Sequence, residues 1–417
     1  MAKYLISGPA KLSGKIKIAG NKNSVLPIMA ASILSTEPST IENVPNISDV
    51  DVMASLLKLA GVDVKITGST VTINPQSVTK TVFPNDLTEK LRASVLLIAP
   101  ILARVGYVKM GYPGGDIIGR RPLDTHFQVL ESLGAKVKKE DGYFEVWAQK
   151  LKGVSIFLQE ASVTATENAI IAACVAEGET TIKRAASEPH VIDLCEFLVK
   201  MGAKIEGIGS NVLKITGSQK LNGATHAVRP DHIEVGTFAI LAAVTKSKIE
   251  MSPVIQDDLD MILLTFKKFN VKYEITNDVL VVYPSDLQAV EKVVTDVWPG
   301  FPTDLMAPMI VLATQAKGVT ILHDWMYESR MFFVDKLLSM GAKVEIADPH
   351  RVFVYGPAKL HAKVLNTPDI RAGIALVIAA LAANGKSEIE EAQLIERGYE
   401  NIVERLSSLG AKIQRVS

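Results

Sequence analysis

Cysteine is scarce: Cys174 and Cys195 are the only two in 417 residues. That excludes a disulfide scaffold and fits a pair of buried thiols kept reduced in the cytosol. No charge of one sign predominates, because 45 Lys and Arg balance 45 Asp and Glu. A neutral chain is not built mainly to hold nucleic acid or an anionic membrane, so any basic site must be local. Long hydrophobic runs are missing too. The most apolar helical stretch, 374–383, is far below the roughly 20 residues that a membrane span needs. The opening MAKYLISGPAKLSG has no apolar signal-type core and predicts a strand and turn. These absences describe a cytoplasmic protein. Metal-ligand clusters, a Ser-His-Asp arrangement, the Lys-Ser/Thr ending of a P-loop and a G-x-G-x-x-G after a strand are all missing. Neither a metal nor a cofactor is therefore expected. What the chain does have is apolar content, 48% against 22% charged residues. That is enough for two or three domains with real cores, and it excludes disorder.

The chain is organised by a repeat. One phrase recurs six times: LLKLAGVDVKI, VLESLGAKVKK, FLVKMGAKIEG, TFKKFNVKYEI, KLLSMGAKVEI and RLSSLGAKIQR. It pivots on Gly61, Gly134, Gly202, Asn270, Gly341 and Gly410, at spacings of 73, 68, 68, 71 and 69 residues. Each copy predicts an amphipathic helix, a left-handed C-cap and a strand, and Asn is the residue that best replaces Gly at such a cap. Before each copy stands an Ala-rich helix without a polar face, which predicts burial. The sixth unit stops at GAKIQRVS, short of its later strands. The segment GPAKLSGK at 8–15 matches GPAKLHAK at 356–363, so the first 20 or so residues are expected to complete the sixth unit. This gives an α/β fold of two three-unit domains, 21–229 and 1–20 plus 230–417, with a hinged cleft between them. One closed six-unit ring is the alternative that repeat arithmetic leaves open.

Polar residues break the pattern in two places. The Ala-rich helices begin with Lys22-Asn23, Lys90 and Arg92, Asp231 and Glu234, Asp304, and Asp369 and Arg371. Capping accounts for single acids there. Cations at helix starts oppose the helix dipole, and an anionic ligand at those N–H groups accounts for them better. The second place is Tyr112-Pro-Gly-Gly-Asp-Ile-Ile-Gly-Arg-Arg-Pro-Leu-Asp-Thr-His126, too rich in Gly for a helix or strand. With Asp116 at its apex and Arg120, Arg121, Asp124 and His126 following, it reads as a surface loop or as a lid (about 111–122) over an anion site.

At these residues the chain resembles the enolpyruvyl transferases that act on UDP-N-acetylglucosamine. The resemblance runs end to end through GNKNSVLP (20–27), LRAS (91–94), PGGDIIGRRPLD (113–124), RPDHIEVGTF (229–238), FPTD (301–304), ESR (328–330), DIR (369–371) and ERGYE (396–400). It implies two inside-out, barrel-like α/β domains of three units each. It also implies transfer of the enolpyruvyl group of phosphoenolpyruvate to the sugar 3′-hydroxyl, with loss of phosphate, at the start of peptidoglycan synthesis. By that resemblance Lys22, Arg121 and Arg397 hold the phosphate and carboxylate of phosphoenolpyruvate, with Asn23 beside them. Arg92, the stretch Arg121, Pro122, Leu123, Asp124 and Thr125, then Ser162, Val163, Asp304 and Met326 bind the UDP-sugar. Asp304 also takes the hydroxyl proton, and Arg330, Asp369 and Arg371 complete the site. Two departures stand out. Where the family usually has a nucleotide-binding Lys, this chain has Glu160-Ala161. At the loop apex, where most members have Cys, it has Asp116. As the acid that protonates C3 of phosphoenolpyruvate, Asp116 is subject to opposing effects: burial favours its neutral form and nearby arginines favour its charged one. Absence of the apex thiol implies insensitivity to fosfomycin. The sister 5-enolpyruvylshikimate-3-phosphate synthases share the chemistry but not the PGGDIIGRRPLD loop. A non-catalytic scaffold has no use for the retained Lys22, Arg121, Asp304 and Arg397.

Overall fold

The repeated phrase folds alike six times. Gly61, Gly134, Gly202, Gly341 and Gly410 end their helices with φ between 95° and 102°, and Asn270 does so at 60°. A side chain with a Cβ is strained in that region, and Asn tolerates it best. A computed structural model describes residues 2–116 and 118–416. Among these, 24 strands form six four-stranded sheets. Each sheet has three antiparallel strands, and a parallel strand borrowed from elsewhere in the repeat order forms one edge. In the first repeat, Ser39–Glu42, Thr70–Asn74 and Asp63–Thr67 are antiparallel. Thr225–Ala227, from the end of the third repeat, lies parallel to Ser39–Glu42.

The chain start follows the same rule, with one correction to expectation. Strand Lys3–Gly8 does complete the sixth repeat, lying between Gly385–Glu390 and Lys412–Val416 with Tyr4 opposite both Ile389 and Arg415. Strand Ser13–Lys17 does not stay with it. It pairs in parallel with Lys248–Ser252 of the fourth repeat, just as Thr225–Ala227 at the end of the third repeat pairs back with the first, while the other four linking strands pair with the repeat that follows. Three-repeat cycles therefore close by strand exchange, with Thr225–Ala227 closing one cycle and Ser13–Lys17 the other.

The chain divides into two compact units, Gly20–Gly115 with Arg121–Arg229, and Met1–Ala19 with Asp116–Arg120 and Pro230–Ser417. Each unit packs its sheets around its Ala-rich helices. In the first these are Lys22–Ala31, Ile98–Val105 and Val163–Ala173. In the second they are His232–Val244, Met306–Gln315 and Ile370–Ala382. All thirteen residues of His232–Val244 are buried. Small side chains let these helices approach closely. A Cβ on Gly236 would come within 2.4 Å of Leu305, and one on Gly373 within 2.5 Å of Thr367. The amphipathic helices, such as Ser48–Leu59 and Pro189–Lys200, put most of their Leu, Val and Met residues inward and Asp51, Lys58 and Lys200 out, while Asp49 and Asp193 are buried. Truncating one of the large core side chains, Leu376 for example, costs about 2–5 kcal/mol. No helix among the described residues is long and apolar enough to cross a membrane.

Candidate active site

In the Pro230–Ser417 unit the ambiguity over the helix-start acids resolves residue by residue. Asp231 caps its helix, accepting from the N–H groups of Ile233 and Glu234 at 2.8 and 3.2 Å. Asp369 does the same for Arg371 and Ala372 at 2.8 and 3.0 Å. Asp304 does not cap. It stands in the short turn Thr303–Leu305, and two arginines grip its carboxylate. Oδ1 accepts from Arg330 Nη2 at 3.0 Å, and Oδ2 accepts from Arg371 Nε and Nη2 at 3.0 and 2.7 Å. Both arginine side chains are nearly sealed from solvent, at 2% and 6% exposure, whereas the Asp304 side chain is 26% exposed. Burial disfavours charge on both guanidiniums, but their acidic neighbours together outweigh it and hold both above the usual arginine range: Asp304 with Asp369 and Asp324 at Arg330, and Asp304 with Tyr399 and Asp231 at Arg371. Asp304 thus presents a partly exposed carboxylate side chain on a buried cationic base.

The surroundings reinforce this arrangement. Asp324 is fully buried; its Oδ1 accepts from the N–H of Met326 at 3.0 Å and that of Tyr327 at 3.3 Å, and its Oδ2 accepts from the Thr303 hydroxyl. One carboxylate therefore fixes both the Asp304 turn and the Met326 segment. His232 lies buried against Trp298, and burial lowers its pKa to about 4, so it is neutral at pH 7. Burial holds the Asp369 carboxyl above its ordinary range, opposed by Arg330.

The glycine-rich loop is expected wholly with 21–229, but its segment Asp116–Arg120 groups with the other unit. The cause is local bonding. Arg397 Nη1 donates to Asp116 Oδ1 at 3.0 Å, the N–H of Arg120 donates to Glu328 Oε1 at 2.9 Å, and the N–H of Ser329 donates to the Ile118 carbonyl at 3.0 Å. Gly119 is required there: its φ is +142°, and a Cβ would meet the Glu328 carboxylate at 2.3 Å.

In the Gly20–Arg229 unit, Asn21 caps helix Lys22–Ala31 by accepting from the N–H of Asn23 at 2.8 Å. Lys22 Nζ reaches Asp49 Oδ2 at 2.7 Å, with both side chains largely buried. The cations at helix starts also have partners within the protein. Lys22 and Arg371 each have a carboxylate of the protein, and Arg92 Nη2 donates to the Arg121 carbonyl at 2.6 Å. The Arg92 contact ties the LRAS motif to the loop, where Gly115 (φ +108°) lies so close that a Cβ would meet the Arg92 Cβ at 2.9 Å and Arg121 Nη2 at 3.1 Å. Pro122 is exposed and Leu123 buried. Asp124 starts helix Asp124–Ser132 and pairs in solvent with Lys139 at 3.1 Å, and Thr125 is buried. Ser162 caps helix Val163–Ala173 at whose start Val163 stands, its hydroxyl accepting from the N–H of Ala165 at 3.5 Å. The two segments are joined by His126. Asn168 donates to the Val95 carbonyl at 3.0 Å and to His126 Nδ1 at 2.9 Å, so the imidazole proton is on Nε2 and points to the Thr164 hydroxyl at 3.0 Å. Burial, with Arg92 adding to it, lowers the His126 pKa to about 3.

Sequence reading missed Asp49, Asp324 and Tyr399. Asp49 looks like a first-turn acid in the phrase SDVD, and nothing in its neighbourhood marks it as the partner of Lys22. Tyr399 had a signal, since it lies inside the ERGYE motif two residues after Arg397.

Comparison with known proteins assigns the chain to a family. The family model described as EPSP synthase (3-phosphoshikimate 1-carboxyvinyltransferase) matches residues 6–406. The UDP-N-acetylglucosamine 1-carboxyvinyltransferase of Treponema denticola is 47% identical, covering 99% of each chain. The protein of the same name from Bradyrhizobium diazoefficiens is 46% identical over 99% of this chain and 98% of its own. Among solved structures, the enolpyruvyl transferase NikO of Streptomyces tendae superposes with a TM-score of 0.90 at 24% identity, covering 100% of this chain and 99% of that one. EPSP synthase of Acinetobacter baumannii superposes at 0.76 and 17% identity over the full length of both. With a family model over nearly the whole chain and full-length relatives of one name at this identity, the chain belongs to the UDP-N-acetylglucosamine 1-carboxyvinyltransferase family, a branch of the enolpyruvyl transferases.

Proposed function

We propose that this protein transfers the enolpyruvyl group of phosphoenolpyruvate to the 3′-hydroxyl of UDP-N-acetylglucosamine in the cytoplasm, releasing phosphate and opening peptidoglycan synthesis. The observation that carries this reading is the Asp304 carboxylate, partly open to water and held by two buried guanidiniums, in the unit that also holds the Arg397–Asp116 pair. An ionised carboxylate fixed in this way is suited to accept a proton from a sugar hydroxyl while the hydroxyl oxygen attacks C2 of phosphoenolpyruvate. Asp116 delivers a proton to C3, giving a tetrahedral ketal. Loss of phosphate and of a C3 proton then restores the double bond on the transferred group.

Lys22, Arg121 and Arg397 take the phosphate and carboxylate of phosphoenolpyruvate, with Asn23 beside Lys22. Arg92, the 121–125 stretch, Ser162, Val163 and Met326 take the UDP-sugar, with Asp304 at its hydroxyl and Arg330, Asp369 and Arg371 supporting. Phosphoenolpyruvate displaces Asp116 from Nη1 of Arg397, the arm of the guanidinium that holds it. Binding of the substrate therefore exchanges one anion for another at the guanidinium and frees the Asp116 carboxyl for proton transfer.

The test is phosphate release from phosphoenolpyruvate with UDP-N-acetylglucosamine, run beside shikimate 3-phosphate, the acceptor implied by the family model's description. Release is expected with the UDP-sugar alone. Release only with shikimate 3-phosphate assigns the sister activity, and release with neither removes the enzyme reading.

A further inference from the structure

We infer that Tyr399 is a positioning residue for the Asp304 base: through Arg371 it fixes the rotation of the carboxylate. The inference rests on the reading of Asp304 given above. Four groups form a hydrogen-bond chain whose direction is determined. The Thr237 hydroxyl donates to the Ile233 carbonyl at 2.8 Å, one turn back in its helix. Its single proton is used there, so at the 2.9 Å contact with Tyr399 it accepts, and the phenol donates. The phenol's lone pairs are then free for Arg371, whose Nη1 donates to it at 3.1 Å. The other arms of the same guanidinium, Nε and Nη2, both reach Asp304 Oδ2.

A guanidinium is planar, so fixing Nη1 fixes the plane in which Nε and Nη2 approach the carboxylate. Tyr399 is 1% exposed and Thr237 2%, so bulk solvent does not reach the phenol. The backbone around Tyr399 is also fixed. A Cβ on Gly398 would come within 2.7 Å of Ile370, the first residue of the helix carrying Arg371. The position is therefore suited to orienting a catalytic group without touching substrate. Oriented hydrogen-bond acceptors of this kind act on the chemical step more than on substrate binding, because small misplacements of a base are felt mainly in the transition state.

The test compares Tyr399→Phe, Thr237→Val and Asp304→Asn in steady-state phosphate release. Tyr399→Phe is expected to lower kcat about 5- to 50-fold while KM for either substrate changes by no more than about twofold. Thr237→Val keeps the phenol but removes what aims it, and a smaller loss of kcat, again without a KM change, is expected. A merely structural role would lower active-enzyme yield or shift KM and leave kcat per active site unchanged. Wild-type kcat in both variants, or a loss seen only in KM, overturns the inference. If Tyr399→Phe does not fold, the kcat of Thr237→Val decides alone. Asp304→Asn separates the two claims. If it is inactive while Tyr399→Phe has full kcat, only the role of Tyr399 fails. If Asp304→Asn itself turns over normally, the reading of Asp304 as base fails.

Discussion

Replacing Asp304 with Asn is expected to lower activity and stability together, and the second effect is the more telling. Removing a charged catalytic group often leaves stability unchanged or raises it, because active sites hold like charges and strained groups. Here the carboxylate is the shared partner of Arg330 and Arg371, which are otherwise almost sealed from water. An Asn amide is a poor substitute, since its oxygen serves one guanidinium while its NH2 faces the other, donor against donor. Taking one partner out of a buried ionic cluster costs about 3–5 kcal/mol. In a unit of this size each kcal/mol shifts the melting midpoint by about 2–4 °C, so Asp304→Asn should melt about 6–20 °C lower. Turnover should fall about 10²- to 10⁴-fold for loss of a general base. Differential scanning calorimetry beside the phosphate-release assay reads both. A variant that is inactive yet melts at or above the wild-type midpoint would show that the two arginines do not depend on Asp304.

The apex residue gives a second prediction: the wild-type enzyme should resist time-dependent inactivation by the epoxide fosfomycin, because alkylation needs a thiolate nucleophile. Asp116→Cys should stay active and become sensitive, Asp116→Asn should lose most turnover, and a drug-sized mass shift on the wild-type protein would refute the claim. Lys22→Ala should lose about 30- to 4,000-fold in kcat/KM, as expected for a charge-assisted contact worth about 2–5 kcal/mol. It should also melt lower, because Asp49 is left buried without its ammonium; wild-type kcat/KM would remove Lys22 from the site. Stability should fall in acid through His126 and His232, whose pKa values are lowered to about 3 and about 4 in the folded protein. Unfolded histidine binds its proton near pH 6.5, so their contribution is complete above that pH and is lost as pH falls toward 4 and then 3. At pH 5 the two together give up about 4 kcal/mol. Urea midpoints measured between pH 7.5 and 5 should drop, with a shallower slope in His126→Gln, and an identical slope in that variant would count against the assignment.

Much of the fold was legible because its cause is periodic. Six left-handed helix ends need Gly or Asn, and those residues are visible at regular spacing in one sequence. The GPAKLSGK match likewise revealed that the start of the chain completes its end. The fate of Ser13–Lys17 was not legible, because the partner of a parallel edge strand is chosen by the closure of a cycle and not by its own residues. At the site, types and neighbourhoods were readable but pairings were not. Asp231, Asp304 and Asp369 look equivalent as helix-start acids, yet two cap helices and one is held by arginines from the ESR and DIR motifs. Lys22 and Asp49 are 27 positions apart and nothing local joins them.

The strand exchange that places Lys3–Gly8 beside Lys412–Val416 also sets an order of events during synthesis. Everything needed for the sheets of Gly20–Arg229 has been made once the chain reaches residue 229, so that unit is in effect an insertion that can mature on its own schedule. The other unit cannot. Its first strands leave the ribosome at the beginning, and the neighbours of Lys3–Gly8 arrive nearly 400 residues later. At about 5–20 residues per second, Lys3–Gly8 waits roughly 20–80 seconds for its partners, with its backbone donors and acceptors unpaired. The termini are neighbours in one sheet, so a permuted chain that begins at Pro230, with its old ends joined by a short linker, would make the Pro230–Ser417 repeats and the first strands consecutively. Such a chain would replace the long-range closure with a local hairpin, the kind of contact that forms fastest.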